Sequence, residues 1–415
     1  MIGLLDLNNA YASMEALFDP SIRGRPIVVA SNCDGCAVAR SAEAKALGVQ
    51  MGQPIHEIPP AVRKQLVVRS ANFTLYGSLS NRVFNLVRES VPVVERYSVD
   101  EIFLDLSRVA DRQAFAAALS QRVRRHVGLA NCVGIGPTLT LAKLANRIAK
   151  RGAGVVDLGK ADTHVEALSG VDVGDVWGVG RKWAPRLAGL GIRTALELRE
   201  AAPDLIGEQF GVVLLRTQQE LKGRPCRGLQ AEDPDRQTIA VTRTFGQRIS
   251  EPEQVTQAMA TFAARAAEKA RLGGLVAAGI QVFAHTDWFR SELPQHHPCR
   301  SVNLPVATAD TRLILGVVRK LAVSMLRPSY GYKKAGVMLL GLQRPDDLPG
   351  DLFGPAVAGD EALMGVVDGI NARFGRGSMQ FASAAAKEQA AWRPRQRNLS
   401  PCYTTRLEDL PVAAC

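Results

Sequence analysis

Three acidic side chains carry the strongest chemical signal in this chain. Asp6 closes a short apolar run, Ile2–Leu7, that reads as a buried strand, and Asp100 with Glu101 forms the apex of a hairpin over 91–106. A strand lying beside that hairpin brings the three acids together. Gathered in a partly buried site, they repel one another and lose hydration unless cations compensate them. Hard divalent ions prefer oxygen ligands, and two Mg²⁺ ions about 3.5 to 4 Å apart clamp the attacking and leaving oxygens of an in-line phosphoryl transfer. Taken singly, each piece also has a plainer reading, Asp100 and Glu101 as a solvated turn and Asp6 as a strand-end cap.

Cations accompany the acids. Lys143, Arg147 and Lys150 recur at helical spacing over 139–150 and so share one face, either a solvated basic stripe or a phosphate-binding one. Lys and Arg number 51 against 40 Asp and Glu, a formal charge of +11 that suits a polyanion, nucleic acid first. Cys33 and Cys36 form a lone Cys-x-x-Cys with no second pair at zinc spacing, so no zinc site is assigned. Seven scattered cysteines suit a reducing compartment, and no apolar run approaches the ~20 residues of a membrane span. The opening Met-Ile-Gly-Leu-Leu-Asp has no basic leader, which makes the cytoplasm the expected location.

The elements that must hold these residues follow from period and punctuation. At about 100 to 200 residues per domain, 415 residues make two to four domains. The order reads strand 2–7, strand 27–30, helix 37–47 ending at Gly48, helix 75–89, the hairpin, helix 112–127, strand 132–135 and helix 139–150. Leaving aside an insert between Asn8 and about residue 72, this is a ferredoxin-like split βαβ pattern, an antiparallel sheet with helices on one face. From 171 to about 227, short helices are punctuated by glycine, including Gly178-Val179-Gly180. Residues 230–238 have linker chemistry. A second split βαβ series follows, with strands at 242–249, 275–284, 301–304 and 334–342 and helices at 253–272 and 310–326. The remainder, 344–415, is rich in Pro, Gly and polar residues and reads as a partly disordered tail. The fold class is α+β and multidomain.

Asp6-Leu7-Asn8-Asn9-Ala10-Tyr11-Ala12-Ser13, Ser31-Asn32-Cys33-Asp34-Gly35-Cys36 and Tyr97-Ser98-Val99-Asp100-Glu101 resemble the Y-family translesion DNA polymerases. Residues 37–52, the run 140–146 and the tail 399–410 are most similar to the UmuC-like catalytic subunits of bacterial polymerase V, and the resemblance covers nearly the whole chain. It implies a right hand: palm at 1–10 and 73–165, fingers at 11–72, helical thumb with a helix-hairpin-helix at 166–229, little finger of split βαβ topology at 239–343, and a partner-binding tail at 344–415. It implies Asp6, Asp100 and Glu101 as catalytic residues. With the Leu7 main-chain carbonyl, these would hold two Mg²⁺. Tyr11 takes the sugar-selecting position, where a ring leaves no room for a 2′-hydroxyl. Arg40, Lys45 and Lys150 would hold the dNTP triphosphate. Gly178 and Gly180 would offer backbone N–H groups to a DNA phosphate, and Arg243, Arg248, Lys333 and Lys334 would follow the duplex. The implied activity is error-prone, DNA-directed dNTP addition past damaged bases in the SOS response. Its expected partners are primer-template DNA, a UmuD′-like dimer and a RecA filament, at the nucleoid.

The sequence also departs from the family pattern. Ala10 stands where Phe often neighbours the sugar-selecting Tyr, and Ile102 replaces a small residue after the Asp-Glu pair, both with consequences expected for nucleotide fit. Leu139 replaces a Lys. The sliding-clamp peptide at 349–353 is degenerate and keeps only Leu352-Phe353. Two other classes share the pattern: a DNA-binding scaffold that has lost turnover, and another palm-type two-metal enzyme such as a nucleotide cyclase. The retained acids argue against the first, and the helical region with its second split βαβ domain argues against the second.

Overall fold

The computed structural model describes residues 1–230, 235–348, 357–385 and 390–410, without the side chains of 161–163. Residues 231–234 of the expected linker and the clamp peptide at 349–353 lie outside the described residues. The chain divides into two compact units, one made of Met1–Ser31, Gly35–Asp233 and Asn398–Cys415, the other of Asn32–Asp34 and Pro234–Arg397.

The first unit begins with β1 (Ile2–Leu7), α1 (Ala10–Phe18), β2 (Ile27–Ala30), β3 (Ala37–Arg40), α2 (Ala42–Ala46), α3 (Pro60–Arg63) and β4 (Val67–Ser70). It continues with α4 (Phe73–Arg88), β5 (Val94–Arg96), β6 (Glu101–Asp105), α5 (Arg112–Val127), β7 (Asn131–Gly136), α6 (Leu139–Ala149) and β8 (Val155–Asp157). The main sheet runs β5-β6-β1-β7-β8, with β1 central and antiparallel to both neighbours. Side chains alternate across it. Leu5, Leu7, Ile102, Leu104, Val133 and Ile135 face one core, shared with Leu75, Leu79 and Val83 of α4 and Leu119 and Val123 of α5. Leu4 and Phe103 face the other side, where they meet Leu139 and Ala142 of α6. The expectation of helices on one face is therefore corrected: α4 and α5 cover one face and α6 the other. Glycine makes the second face approachable. A Cβ on Gly134 would lie 2.6 Å from Asn146 Cα, and one on Gly136 would lie 2.8 Å from the Ala142 nitrogen.

A smaller sheet, β3-β2-β4, was legible only in β2. Residues 37–40 were expected to be helical, yet they pair with β2 from Val28↔Arg40 to Ala30↔Ala37. The helix begins only after Ser41, whose hydroxyl accepts from the Ala44 nitrogen and caps α2. Alanine-rich residues 37–40 satisfy either state, and pairing partners decide. Beyond β8 come α7 (Ala161–Ser169), α8 (Gly180–Gly189), α9 (Ala195–Glu200), α10 (Pro203–Phe210) and α11 (Val212–Leu221), gathered round Leu187, Leu198, Ile206 and Leu221. Burying each such Leu or Ile contributes about 1.5 to 3 kcal/mol.

The second unit contains β9 (Thr238–Ile249), α12 (Pro252–Leu272), β10 (Val276–Thr286), β11 (Cys299–Thr308), α13 (Thr311–Met325), β12 (Tyr332–Gln343), β13 (Val357–Ala358) and α14 (Glu361–Phe374). Its sheet runs β13-β11-β10-β12-β9, so that β12 separates β9 from β10 and β10 separates β11 from β12. Both crossovers are split βαβ units, as expected. Parts of the expected tail are folded. Within 344–415, α14 buries Met364 and Val367, and Arg271 grips Asp368 through two bonds of 2.7 Å. Trp392 packs edge-on against Phe262 at 5.5 Å. A few well-spaced apolar anchors suffice when a finished core already offers a place to dock.

Candidate active site

Asp6 and Glu101 are directly opposite on β1 and β6. The neighbouring Leu7 nitrogen donates to the Asp100 carbonyl at 3.0 Å, so the Asp6–Glu101 pair is of the non-hydrogen-bonded kind, in which side chains stand closest. Asp100 sits in the turn. Ser98 Oγ donates to Asp100 Oδ1 at 2.6 Å while accepting from the Asp100 and Glu101 nitrogens at 3.3 and 3.0 Å, which fixes that turn.

The face that carries Asp6 and Glu101 is the one α6 covers, and α6 with the residue just beyond it supplies their counter-charges. Lys143 Nζ donates to both Glu101 oxygens at 2.9 and 3.1 Å, and Lys150 Nζ to Asp6 Oδ2 at 2.6 Å. The Lys143 ammonium also lies 4.3 Å from the centre of the Tyr97 ring and 5.1 Å from that of Trp177. Arg147, on the same stripe, pairs with Asp175. Burial pushes the Asp6 carboxyl up to about 6, Lys150 pulls the other way, and the charges of Glu101 and Asp100 push it higher again. The three acids therefore feel one another. Among the described residues, no set of three or more His, Cys, Asp or Glu side chains is already gathered to hold an ion. The donors fit a hard cation nonetheless: all are oxygens, and burial disfavours the charge on Asp6 despite its lysine.

Lys45 joins this cluster from α2. Its Nζ donates to Asn9 Oδ1 at 2.5 Å, and Asn9 holds a left-handed conformation, φ 50, at the entry to α1. Burial depresses the Lys45 pKa, with Arg40 and then Lys150 adding to the effect and Asp6 opposing it. Arg40, Lys45 and Lys150 thus form one positive field beside Asp6, suited to a polyphosphate. Arg40 is itself held by a 2.6 Å bond to the Val49 carbonyl. Tyr11, in the first turn of α1, stacks on Tyr76 at 4.4 Å and 14° and meets Phe73 edge-on at 5.9 Å. Ile102 turns from the acid face into the core beside Leu5, the same core that Tyr76 joins and Tyr11 packs against.

The other expected binding residues divide. Gly178 at φ 91 and Gly180 at φ 58 make the turn into α8, and both conformations favour glycine. Arg248 and Lys333 line one groove with Gln247 and Arg290. Lys333 also donates to the Phe245 carbonyl at 2.8 Å. Lys334 lies 6.0 Å from the centre of the Phe283 ring, whereas Arg243 belongs with Lys269 of α12, whose pKa burial, Arg265 and Arg243 together lower. The four cations are not one patch. Sequence reasoning missed Tyr97 and Trp177 as a cradle for Lys143, and the Glu15–Tyr76 pair behind Tyr11. Glu15, alone in the apolar helix Ala10–Phe18, was the available signal.

The sequence matches the impB/mucB/samB family over residues 5–147 and that family's C-terminal domain over 236–352, with a domain of unknown function (DUF4113) over 361–413. It is 40% identical over 430 residues to protein UmuC of Salmonella typhimurium, covering 99% of each chain. The chain belongs to the UmuC-like Y-family DNA polymerases. Protein MucB of Escherichia coli is 40% identical over 422 residues, covering 100% of this polymerase and 99% of MucB. DNA polymerase IV 2 of Mesorhizobium japonicum is 30% identical over 92% of it and 93% of that relative. A solved Y-family chimera of Dbh and Dpo4 superposes with a TM-score of 0.66 over 83% of this chain and 100% of the chimera, at 19% identity. The polymerase is a translesion, DNA-directed DNA polymerase subunit with the right-hand α+β architecture of its family. None of its described helices is long and apolar enough to cross a membrane.

Proposed function

We propose that the polymerase adds deoxynucleotides to a primer by two-metal phosphoryl transfer at Asp6, Asp100 and Glu101. The observation that carries this reading is the Asp6–Glu101 cross-strand pair, with a lysine on each carboxylate and Tyr11 a turn away. Two Mg²⁺ ions, held by these carboxylates and the Leu7 carbonyl, would supply activation of the primer 3′-hydroxyl and charge relief for the departing pyrophosphate. Arg40, Lys45 and Lys150 orient the triphosphate. Tyr11 excludes the 2′-hydroxyl by occupying its space, and Tyr76 behind it keeps the ring from yielding. The palm comprises 1–10 and 73–165, the fingers 11–72, the thumb 166–229 and the little finger 239–343. The Gly178–Gly180 turn and the Arg248–Lys333 groove hold the duplex backbone without reading sequence.

A UmuD′-like dimer and a RecA filament are the proposed partners, with 344–415 as the region that meets them and the nucleoid as the place of work. The sliding clamp is a weaker partner, because its peptide is degenerate. Primer extension across an abasic site tests the whole reading. Bypass that requires Mg²⁺ and rises when UmuD′ and RecA filament are added is expected. Extension unaffected by chelation would overturn the two-metal reading, and indifference to both proteins would remove them as partners.

A further inference from the structure

The C-terminal segment 398–403 lies within the first unit, against the elements that hold Tyr11. The Ser70 nitrogen donates to the Asn398 carbonyl at 2.9 Å, and the Asn398 nitrogen to Ser70 Oγ at 3.0 Å. Ser400 Oγ then donates to Glu15 Oε1 at 3.0 Å, the same oxygen that accepts from the Tyr76 hydroxyl at 2.6 Å. Glu15 is 2% exposed, Tyr76 0% and Ser400 6%. A carboxylate so deeply buried depends on each of its donors, because water does not replace a lost one.

Asn72 makes a second tie. Its side-chain oxygen caps α4 by accepting from the Leu75 nitrogen at 3.1 Å, and its amide donates to the Ser400 carbonyl, the Ser400 hydroxyl and the Pro401 carbonyl at 2.9, 3.1 and 3.2 Å. The helix capped in this way carries Phe73 and Tyr76, the two rings packed on Tyr11. Tyr403 stacks on Phe18 at 4.9 Å at the far end of α1. Both helices that position Tyr11 are thus fastened by the same short stretch of chain, which belongs to the region of unknown function.

We propose that residues 398–403 are a positioning element for Tyr11, setting the ring through Ser400, Glu15 and Tyr76 and so setting discrimination between deoxy- and ribonucleotides. This rests on the reading of Tyr11 as the sugar-selecting residue. The proposal explains why two buried polar side chains, Glu15 and Asn72, spend their hydrogen-bonding capacity on a segment more than three hundred residues distant. A purely adhesive contact is made more simply with apolar side chains.

The test compares kcat/KM for a dNTP and its rNTP in the full-length polymerase carrying Ser400→Ala, Ser400→Thr, Tyr403→Leu or Tyr11→Ala. Ser400→Ala is expected to lower the dNTP-over-rNTP ratio about tenfold, mainly through a lower KM for the rNTP, with primer-template affinity unchanged. Ser400→Thr restores the hydroxyl and the ratio. Tyr403→Leu, which loosens the segment without touching Glu15, lowers the ratio less. If Tyr11→Ala moves the ratio while Ser400→Ala and Tyr403→Leu do not, the proposal alone is overturned. If Tyr11→Ala leaves it unmoved, the sugar-gate reading fails and the proposal goes with it. Loss of fold and of primer-template binding in both tail variants would mark the segment as a structural tie, which also overturns it.

Discussion

Lys150 Nζ stands 2.6 Å from Asp6 Oδ2 and joins residues 144 positions apart, the one just beyond α6 and the other near the end of β1. The pair matters because Asp6 is buried and carries a charge that its surroundings disfavour. Lys143 does the same for Glu101. Each carboxylate of the cross-strand pair is thus matched by one ammonium group.

Loss of one carboxylate should separate chemistry from DNA binding. Asp100→Asn and Glu101→Gln are expected to lower extension by more than about a hundredfold while leaving primer-template affinity within about twofold. Single-turnover extension and a DNA-shift measurement on the same preparations check it. Near wild-type turnover in either variant removes the carboxylates from the reaction.

The Asp6 proton gives a pH signature in metal-free protein. Its folded pKa of about 6 lies above the ordinary 3.8, so between those values the folded state keeps a proton that the unfolded chain has released. Stability contributed by this group is then greatest below about pH 4, falls as pH rises toward about 6 and levels off above. Asp6→Asn should accordingly stabilise the chelator-treated protein by about 1 to 3 kcal/mol near pH 7.5 and by little near pH 4. Urea unfolding at the two pH values decides. An equal gain at both assigns the effect to something other than the charge.

Gly134 tests the approach of α6 to the sheet. Gly134→Ala pushes a methyl group into the Asn146 backbone and is expected to destabilise the protein by about 2 to 4 kcal/mol. It should also depress extension in whatever protein remains folded, because Lys143 and Lys150 shift with the helix. Thermal unfolding within experimental error of wild type would contradict the close packing.

Salt titration of duplex binding distinguishes the little-finger cations. Arg248→Ala and Lys333→Ala, which share a groove, should each flatten the log–log slope by about 0.9, the loss of one phosphate contact. Arg243→Ala, placed with Lys269, should leave the slope near its starting value. A loss of slope only in Arg243→Ala would move the duplex to the other side of the sheet.

The acids were legible because strand and hairpin patterns are local: β1, the turn at 97–100 and α5 emerge where apolar alternation and helical spacing put them. The partition of helices between faces was not, since it depends on Gly134 and Gly136 meeting a helix that comes later in the chain. Residues 37–40 were misread because alanine has no strong preference against pairing, and only β2 shows that it pairs. The folded parts of 344–410 were missed for a related reason: composition counts apolar residues, but Met364, Val367, Trp392 and Tyr403 work by where they land. Ser400 gave no sign at all, since a serine acquires meaning only from the buried carboxylate it reaches.

One further property follows from α6 being shared. Leu141, Leu144 and Ala145 belong to the core of the helical bundle, while Ala142 and Leu139 belong to the acid face of the sheet, and Thr140 is bound to Glu220 of α11. Asn146 also fastens the helix to the Leu4 and Cys132 carbonyls at 3.2 and 2.9 Å. One helix is thus common to two cores, so a substitution that repacks the bundle around Leu141, Leu144 or Ala145 is expected to reach Glu101 through Lys143.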